Sequence, residues 1–310
     1  MSVLVVGSVA LDSIRTPFGA VDEVIGGAAT FFSAAASVLT PVQLVAVVGS
    51  DYPLAELDFM RDRGVDLAGL VQEEGESFRW AGEYSYDLNS RETLDTRLGV
   101  FADFKPRIPD AFRDARWVFL GNIDPELQLD VLEQVRSPGL VACDTMNYWI
   151  EGKRPELLKL LQKVDILMVN DSEARELSGD HNLLRAARWI QERGPRLVVV
   201  KKGEHGAILY TRDMIFFVPG FPLEEVFDPT GAGDAFAGGF MGYLARCGSL
   251  GDGELRRAMV YGSALGSFSV ERFGVERLKT LTERDVVERV RSFQRMMSFE
   301  YEIIEEAVRA

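Results

Sequence analysis

Six short runs of Val, Ile and Leu limit how this chain can fold: "VLVVG" (Val3 to Gly7), "LVAVVG" (Leu44 to Gly49), "WVFLGN" (Trp117 to Asn122), "LVACD" (Leu140 to Asp144), "ILMVN" (Ile166 to Asn170) and "LVVVKKG" (Leu197 to Gly203). None alternates polar with apolar, so strands built from them are buried on both faces. Helical patterns lie between them. In "PELQLDVLEQV" Leu127, Val131 and Val135 fall four apart, and "RPELLKLLQKV" and "NLLRAARWIQERG" behave similarly. Strand–helix alternation predicts an α/β fold with a mostly parallel sheet and helices on both faces. The runs end in Gly7-Ser8, Gly49, Asn122, Asp144, Asn170 and Lys202-Gly203. Ligands of open α/β sheets bind outside the carboxyl ends of the strands, so these polar tips mark one rim. The same residues are also ordinary turn formers.

A chain of 310 residues suits one large α/β domain, or a domain with a small appendage. The appendage is visible as a change of period. From Phe78 to Phe104 the pattern alternates, with Phe78, Trp80, Tyr84 and Tyr86 on one parity and Leu94, Thr96, Leu98 and Val100 on another, around "DLNSRE" (Asp87 to Glu92). This predicts a hairpin with one apolar face, inserted between a helix and the strand at Trp117. Residues 13–24 can add a strand to it. A small sheet projecting from an α/β core reads as a lid or a dimer surface. Beyond Asp252 the chain reads as mostly helical to its end.

Net charge is −14 with no basic block, which argues against nucleic acid or an anionic membrane as a partner. A small anionic substrate needs only a local site and stays open. Cys143 and Cys247 lie far apart in apolar surroundings and read as buried free thiols, not as a disulfide or zinc site. "MSVLVVGSVALDS" reads as a first buried strand, not a signal peptide. No apolar run approaches the ~20 residues that span a bilayer. The expected location is the cytoplasm.

The stretch with most chemistry is "DPTGAGDAFAGGF", Asp228 to Phe240. Backbone N–H groups of Gly231, Ala232 and Gly233, at a helix start, make an anion site aided by the helix dipole. A carboxylate there repels a bound anion unless it has a task. Asp234 has one if it takes a proton from a hydroxyl while the donors stabilise a phosphoryl group in transfer. A blander reading is that Asp234 caps the helix through Ala237 and the glycines let helices pack closely. For an isolated "GAGD" that reading prevails.

The stretch is not isolated. "DPTGAGDAFAGGF" resembles the C-terminal signature of the ribokinase-like (PfkB) carbohydrate kinase family, and other marks follow the family order across nearly the whole chain. "GSVALD" resembles its sugar-contacting segment, with Asp12 in the place of the substrate-binding aspartate. "GGAATFFSAAAS" resembles the di-glycine signature, with Gly26 and Gly27. "NDSE" resembles the Asn-x-x-Glu motif, Asn170 and Glu173, associated with phosphate and magnesium. "VKKGEHGA" resembles the nucleotide-binding strand and turn, with Lys202, Gly203 and Gly206. "SVERFG" resembles the segment that closes the adenine and monovalent-cation sites.

The resemblance implies a single ribokinase-like domain over residues 1–310, with a β lid from 78–104 and 13–24. It implies ATP and Mg2+ as cofactors, with Glu173 orienting magnesium-bound water. It further implies a monovalent cation such as K+, held by backbone carbonyls of Asp228, Thr230, Ser269 and Arg272. Residue by residue, blander readings stand beside these. Asn170 with Glu173 is a capping box, Lys202 is a solvated lysine, and Pro229 alone stiffens its turn. Magnesium leans on substrate phosphates, so no dense carboxylate cage is expected.

Two positions depart from the family pattern. Phe31 stands where many relatives have a substrate-binding Asn, which removes a hydrogen-bonding partner and adds an aromatic wall. Ser263 stands where some relatives use Asn near adenine. Arg79, Arg91 and Arg97 of the lid suit a sugar phosphate or plain solvation. P-loop and dinucleotide motifs are lacking: "EGKRP" has no hydroxyl residue after its lysine. His181 and His205 read as incidental. The expected function is an ATP-dependent kinase acting on a hydroxyl of a sugar or sugar-like molecule, with Asp234 as base. A nucleoside kinase is the alternative, with Phe31 and lid aromatics stacking on a base. A non-catalytic sugar or nucleotide sensor, and a purely dimerising lid that forms a homodimer, are the remaining readings.

Overall fold

The computed structural model describes residues 1–298. Its strands are β1 (Val3–Val6), β2 (Ala10–Thr16), β3 (Gly19–Gly26), β4 (Val42–Gly49), β5 (Val65–Glu73), β6 (Phe78–Tyr84), β7 (Arg91–Arg97), β8 (Trp117–Leu120), β9 (Leu140–Asp144), β10 (Ile166–Asn170), β11 (Leu197–Lys201), β12 (Ala207–Tyr210) and β13 (Ile215–Val218). Nine form a large sheet in the order β13-β12-β11-β10-β9-β8-β1-β4-β5. All its pairings are parallel except β11–β12 and β12–β13. Each of the six apolar runs is a strand of this sheet.

Burial on both faces explains why those runs do not alternate. Val3, Val5, Leu44, Ala46 and Val48 point into one core, with the helices Ala28–Ala36, Ala232–Cys247 and Asp252–Ser269. Leu4, Val6, Val45 and Val47 point into the other, with Pro125–Gln134, Arg154–Leu161, Asp171–Ser178 and Leu183–Gln191. The first core is built for close approach. A Cβ on Gly238 would lie 2.4 Å from the Phe32 carbonyl oxygen, and one on Gly239 2.7 Å from that of Tyr261. These two glycines therefore serve helix packing.

The second sheet has four strands in the order β3-β2-β6-β7. Residues 13–24 give parts of two strands, β2 and β3. β2 pairs in parallel with β6, residues far away in sequence. Three expectations need correction. The hairpin has no continuous apolar face: every residue of β7 is exposed, and Tyr86 lies beyond β6 with 84% exposure. The strand β5, not a helix, directly precedes the hairpin. Cys143 is buried, but Cys247 is exposed at the end of the Ala232–Cys247 helix. Beyond Asp252 helices run through Asp252–Ser269, Glu276–Lys279 and Glu283–Met297; residues 299–310 of the expected helical region lie outside the described residues. Among the described residues no helix is long and apolar enough to cross a membrane.

Candidate active site

The glycine turn starts the Ala232–Cys247 helix with no side-chain cap. Gly231 is its N-cap at φ 71°, a left-handed conformation that disfavours a side chain. A Cβ there would also fall 2.2 Å from the Phe31 ring. The Ala232 N–H is turned to the Pro229 carbonyl at 3.3 Å, and the Ala235 N–H to Gly231 at 2.8 Å. Of the first-turn donors this leaves those of Gly233 and Asp234 for a ligand, one residue later than the sequence suggests. Asp234 caps nothing: among the described residues its half-buried carboxylate bonds to no other residue. Burial pushes this carboxyl up to about 7, Asp144 adds to the rise, and Lys201 and Arg91 oppose it.

Asp144 and Lys201, which sequence reasoning did not assign, complete this centre. They sit at the C-terminal ends of β9 and β11, on either side of β10. The Lys201 Nζ donates to Asp144 Oδ2 at 2.8 Å, with both side chains largely buried. A Cβ on Gly233 would meet Nζ at 3.0 Å, so the ammonium lies against the glycine turn. Burial works to lower the Lys201 ammonium, but Asp144, Glu173 and Asp234 together raise it. Its only signal in sequence was position: both residues end buried runs on the expected rim.

Glu173 and Asn170 form the capping box in full. The Glu173 N–H donates to Asn170 Oδ1 and the Asn170 N–H to Glu173 Oε2, both at 2.8 Å. Only one carboxylate oxygen of Glu173 is used in this way. Its carboxyl is pushed up to about 7, chiefly by burial and then by Asp144, against Lys201 and the Asn170 N–H.

Asp12 is buried on β2, at 4% exposure, with a single long bond from the Gly27 N–H at 3.4 Å. Burial lifts its carboxyl to about 7; Asp228 and Asp234 raise it further, and Gly27 and Arg91 lower it. Gly26 and Gly27 are required by the protein itself. A Cβ on Gly26 would overlap the Asp12 carboxylate at 1.9 Å, and one on Gly27, at φ 92°, would lie 2.6 Å from the Ser8 carbonyl oxygen. Phe31 is 1% exposed and sits under Gly231. It supports the turn and presents no open face, which corrects the expected aromatic wall.

The remaining sequence-derived residues fall into two groups. Lys202 starts the turn Gly203–His205, its N–H donating to Gly206, whose own Cβ would collide with the Val218 carbonyl oxygen. Lys202 is half-buried and Gly203 exposed. Ser263 Oγ donates to the Pro219 carbonyl at 2.8 Å, which fixes the end of β13. Asp228 is fully buried and ties two segments together: its carboxylate accepts from the Thr230 N–H at 2.8 Å and the Gly274 N–H at 2.9 Å. Burial raises this carboxyl and those bonds counter it. The Phe227 N–H reaches Val270 at 2.9 Å. Ser269 is buried with an unpartnered Oγ, and exposed Arg272 lies over the Phe227 ring.

The small sheet touches this rim. Thr230 Oγ1 bonds Tyr84 Oη at 3.1 Å, and Asn89 Nδ2 donates to Glu204 at 3.4 Å. Arg91 stands over the Trp80 ring and lowers the carboxyls of Asp12, Glu173 and Asp234 together. Arg79 is held by Glu23 and Asp51, and exposed Arg97 pairs through Nε with Asp95. His181 is exposed beside Asp180, and His205 is exposed at the end of the Gly203–His205 turn.

The model of the pfkB family of carbohydrate kinases matches residues 2–281. A cytidine kinase from Thermococcus kodakarensis is 30% identical over 251 residues, covering 79% of this chain and 89% of that protein. The crystal structure of a nucleoside kinase from Methanocaldococcus jannaschii, an archaeal member of the ribokinase family, superposes with a TM-score of 0.72 at 23% identity, over 94% of this chain and 98% of that one. An aminoimidazole riboside kinase from Salmonella enterica, solved with aminoimidazole riboside and an ATP analogue, superposes at 0.75 and 22% identity, over 94% and 100%.

Proposed function

Because this chain belongs to the pfkB family of carbohydrate kinases, we propose that it moves the γ-phosphoryl group of ATP to a hydroxyl of a sugar or of the sugar part of a nucleoside. One observation carries the mechanism: the Asp234 carboxylate, bonded to no other residue among the described ones, stands beside the N–H donors of Gly233 and Asp234 at an uncapped helix start. The acceptor hydroxyl gives its proton to Asp234. Its oxygen forms a bond to phosphorus, and the bond from phosphorus to the bridging oxygen breaks, leaving the electron pair on ADP. The Gly233 and Asp234 N–H groups stabilise charge on the group in transfer. A carboxyl near 7 is matched to this duty at neutral pH. Asp12, under-bonded and buried, accepts hydrogen bonds from acceptor hydroxyls, and Arg91 approaches the phosphoryl group from the small sheet, which acts as a lid.

The residues suit a sparsely held Mg2+. Three carboxylates, Asp144, Glu173 and Asp234, face one buried ammonium, yet among the described residues no three His, Cys, Asp or Glu side chains form a metal cage. Glu173 would hold the ion through water with its free oxygen, and the ion would supply charge neutralisation on the nucleotide phosphates. The turn of Lys202, Gly203 and Gly206, with Ser263, flanks the nucleotide. A K+ ion at the junction of Asp228, Thr230, Ser269 and Arg272 would steady the glycine turn; turnover in potassium against lithium chloride tests it.

The nucleoside reading is favoured by the cytidine kinase at 30% identity, although Phe31 is too buried to stack on a base. A panel of pentoses, hexoses, ribose 1-phosphate, cytidine and other nucleosides, with ATP and ADP release as readout, decides between them. No turnover with any of them, despite nucleotide binding, would favour the sensor reading. The free thiols suit a reducing cytoplasm. A homodimer through the small sheet is part of the proposal, and a monomer by light scattering would remove it.

A further inference from the structure

Lys201 ends β11, a strand otherwise buried at every residue, and it pairs in register with Asn170 of β10. Its side chain turns to Asp144, 2.8 Å away. Asp144 is itself fixed, because Oδ1 accepts the Thr145 N–H at 2.8 Å and its backbone carbonyl accepts from Gln128. A counter-ion role for Lys201 explains this one contact. It leaves two observations unexplained. An ammonium has three donors, and the Asp144 bond is the only one it makes among the described residues. The ammonium also lies against the turn: a Cβ on Gly233 would be 3.0 Å from it, close enough to push it aside.

We propose that Lys201 is a catalytic residue whose ammonium, held by Asp144, contacts the phosphoryl group beside the Gly233 and Asp234 N–H donors during transfer. This rests on the kinase reading of the same site and adds a cation to it. A lysine is a compact point charge that suits phosphate oxygens. It keeps all its protons in the step, since the acceptor proton goes to Asp234. Asp144 is a positioning residue: it acts through Lys201 and touches no reactant.

The test compares wild type with Lys201→Met, Lys201→Arg and Asp144→Asn. Calorimetry measures binding of ADP and of the β,γ-imido analogue of ATP, which differ in the γ-phosphoryl group. Lys201→Met is expected to weaken the imido analogue about 10–100-fold and ADP less than about threefold, with kcat lower by about 10²–10³ on the best acceptor of the panel. Lys201→Arg is expected to recover part of both. Asp144→Asn is isosteric and can still accept from the Thr145 N–H; folded by circular dichroism, it is expected to lower kcat with ADP binding unchanged. It also carries the test if Lys201→Met does not fold. Equal loss for both nucleotides, or a kcat of either Lys201→Met or Asp144→Asn equal to wild type, would overturn the assignment and leave a counter-ion only. Failure of wild type on every acceptor is a separate outcome, which overturns the kinase reading and the lysine's role with it.

Discussion

Replacing Asp12 by Asn should stabilise the unliganded protein in alkaline solution and spoil acceptor binding. Asp12 is 4% exposed with one long hydrogen bond, and its carboxyl moves from 3.8 to about 7 mainly through burial. A raised acid keeps its proton in the fold after the unfolded chain has released it. Below about pH 3.8 the residue therefore costs nothing. The cost grows as pH rises to about 7 and is constant above. At ~1.4 kcal/mol for each pH step, the full cost is on the order of 4 kcal/mol, of which roughly 2–3 falls between pH 5 and pH 8. Asn has no such slope and can still accept from the Gly27 N–H. Glu173 and Asp234 titrate in the same window in both proteins, so the difference reports position 12 together with its repulsion from Asp234. Thermal unfolding without ligands, at pH 5 and pH 8, measures it. Asp12→Asn should gain about 4 °C on wild type between the two pH values, while its acceptor KM rises steeply. A constant difference between the proteins, or a gain at pH 5 that vanishes at pH 8, would refute the burial argument.

Two further outcomes are expected. Gly231→Ala places a Cβ in left-handed backbone and 2.2 Å from the Phe31 ring, so it should cost more than the roughly 1–2 kcal/mol of the backbone alone, read by urea unfolding. Truncating Phe31 to Leu in the same chain should return part of that loss; strict additivity would show that the ring is not the obstacle. Iodoacetamide should label exposed Cys247 in the native protein and Cys143 only after unfolding; burial also pushes the Cys143 thiol up.

The fold was legible where sequence distance is short. Runs such as Val3–Val6 and Leu197–Lys201 are apolar at consecutive positions because both faces are covered, and their composition alone says so. β5, β12 and β13 were not legible. They lie toward the edges of the sheet, partly exposed, and their patterns mix. The exposed β7 was misread because alternation alone does not say which face is covered. At the site, the glycine turn and capping box are local and were readable. The Asp144–Lys201 pair joins residues 57 positions apart, and nothing in either segment announces the partner. Phe31 was misread for a related reason: its role is set by Gly231, two hundred residues away.

Asp234 is the group on which the proposed phosphoryl transfer depends. The direct measurement is the rate of ADP release by Asp234→Asn, at saturating ATP, Mg2+ and the best acceptor, with ADP affinity measured on the same sample. Removing a positioned base should lower kcat by about 10²–10⁴ with ADP affinity little changed. Turnover near that of wild type, by a variant that binds ADP normally, would contradict the assignment of Asp234 as the group that takes the acceptor's proton.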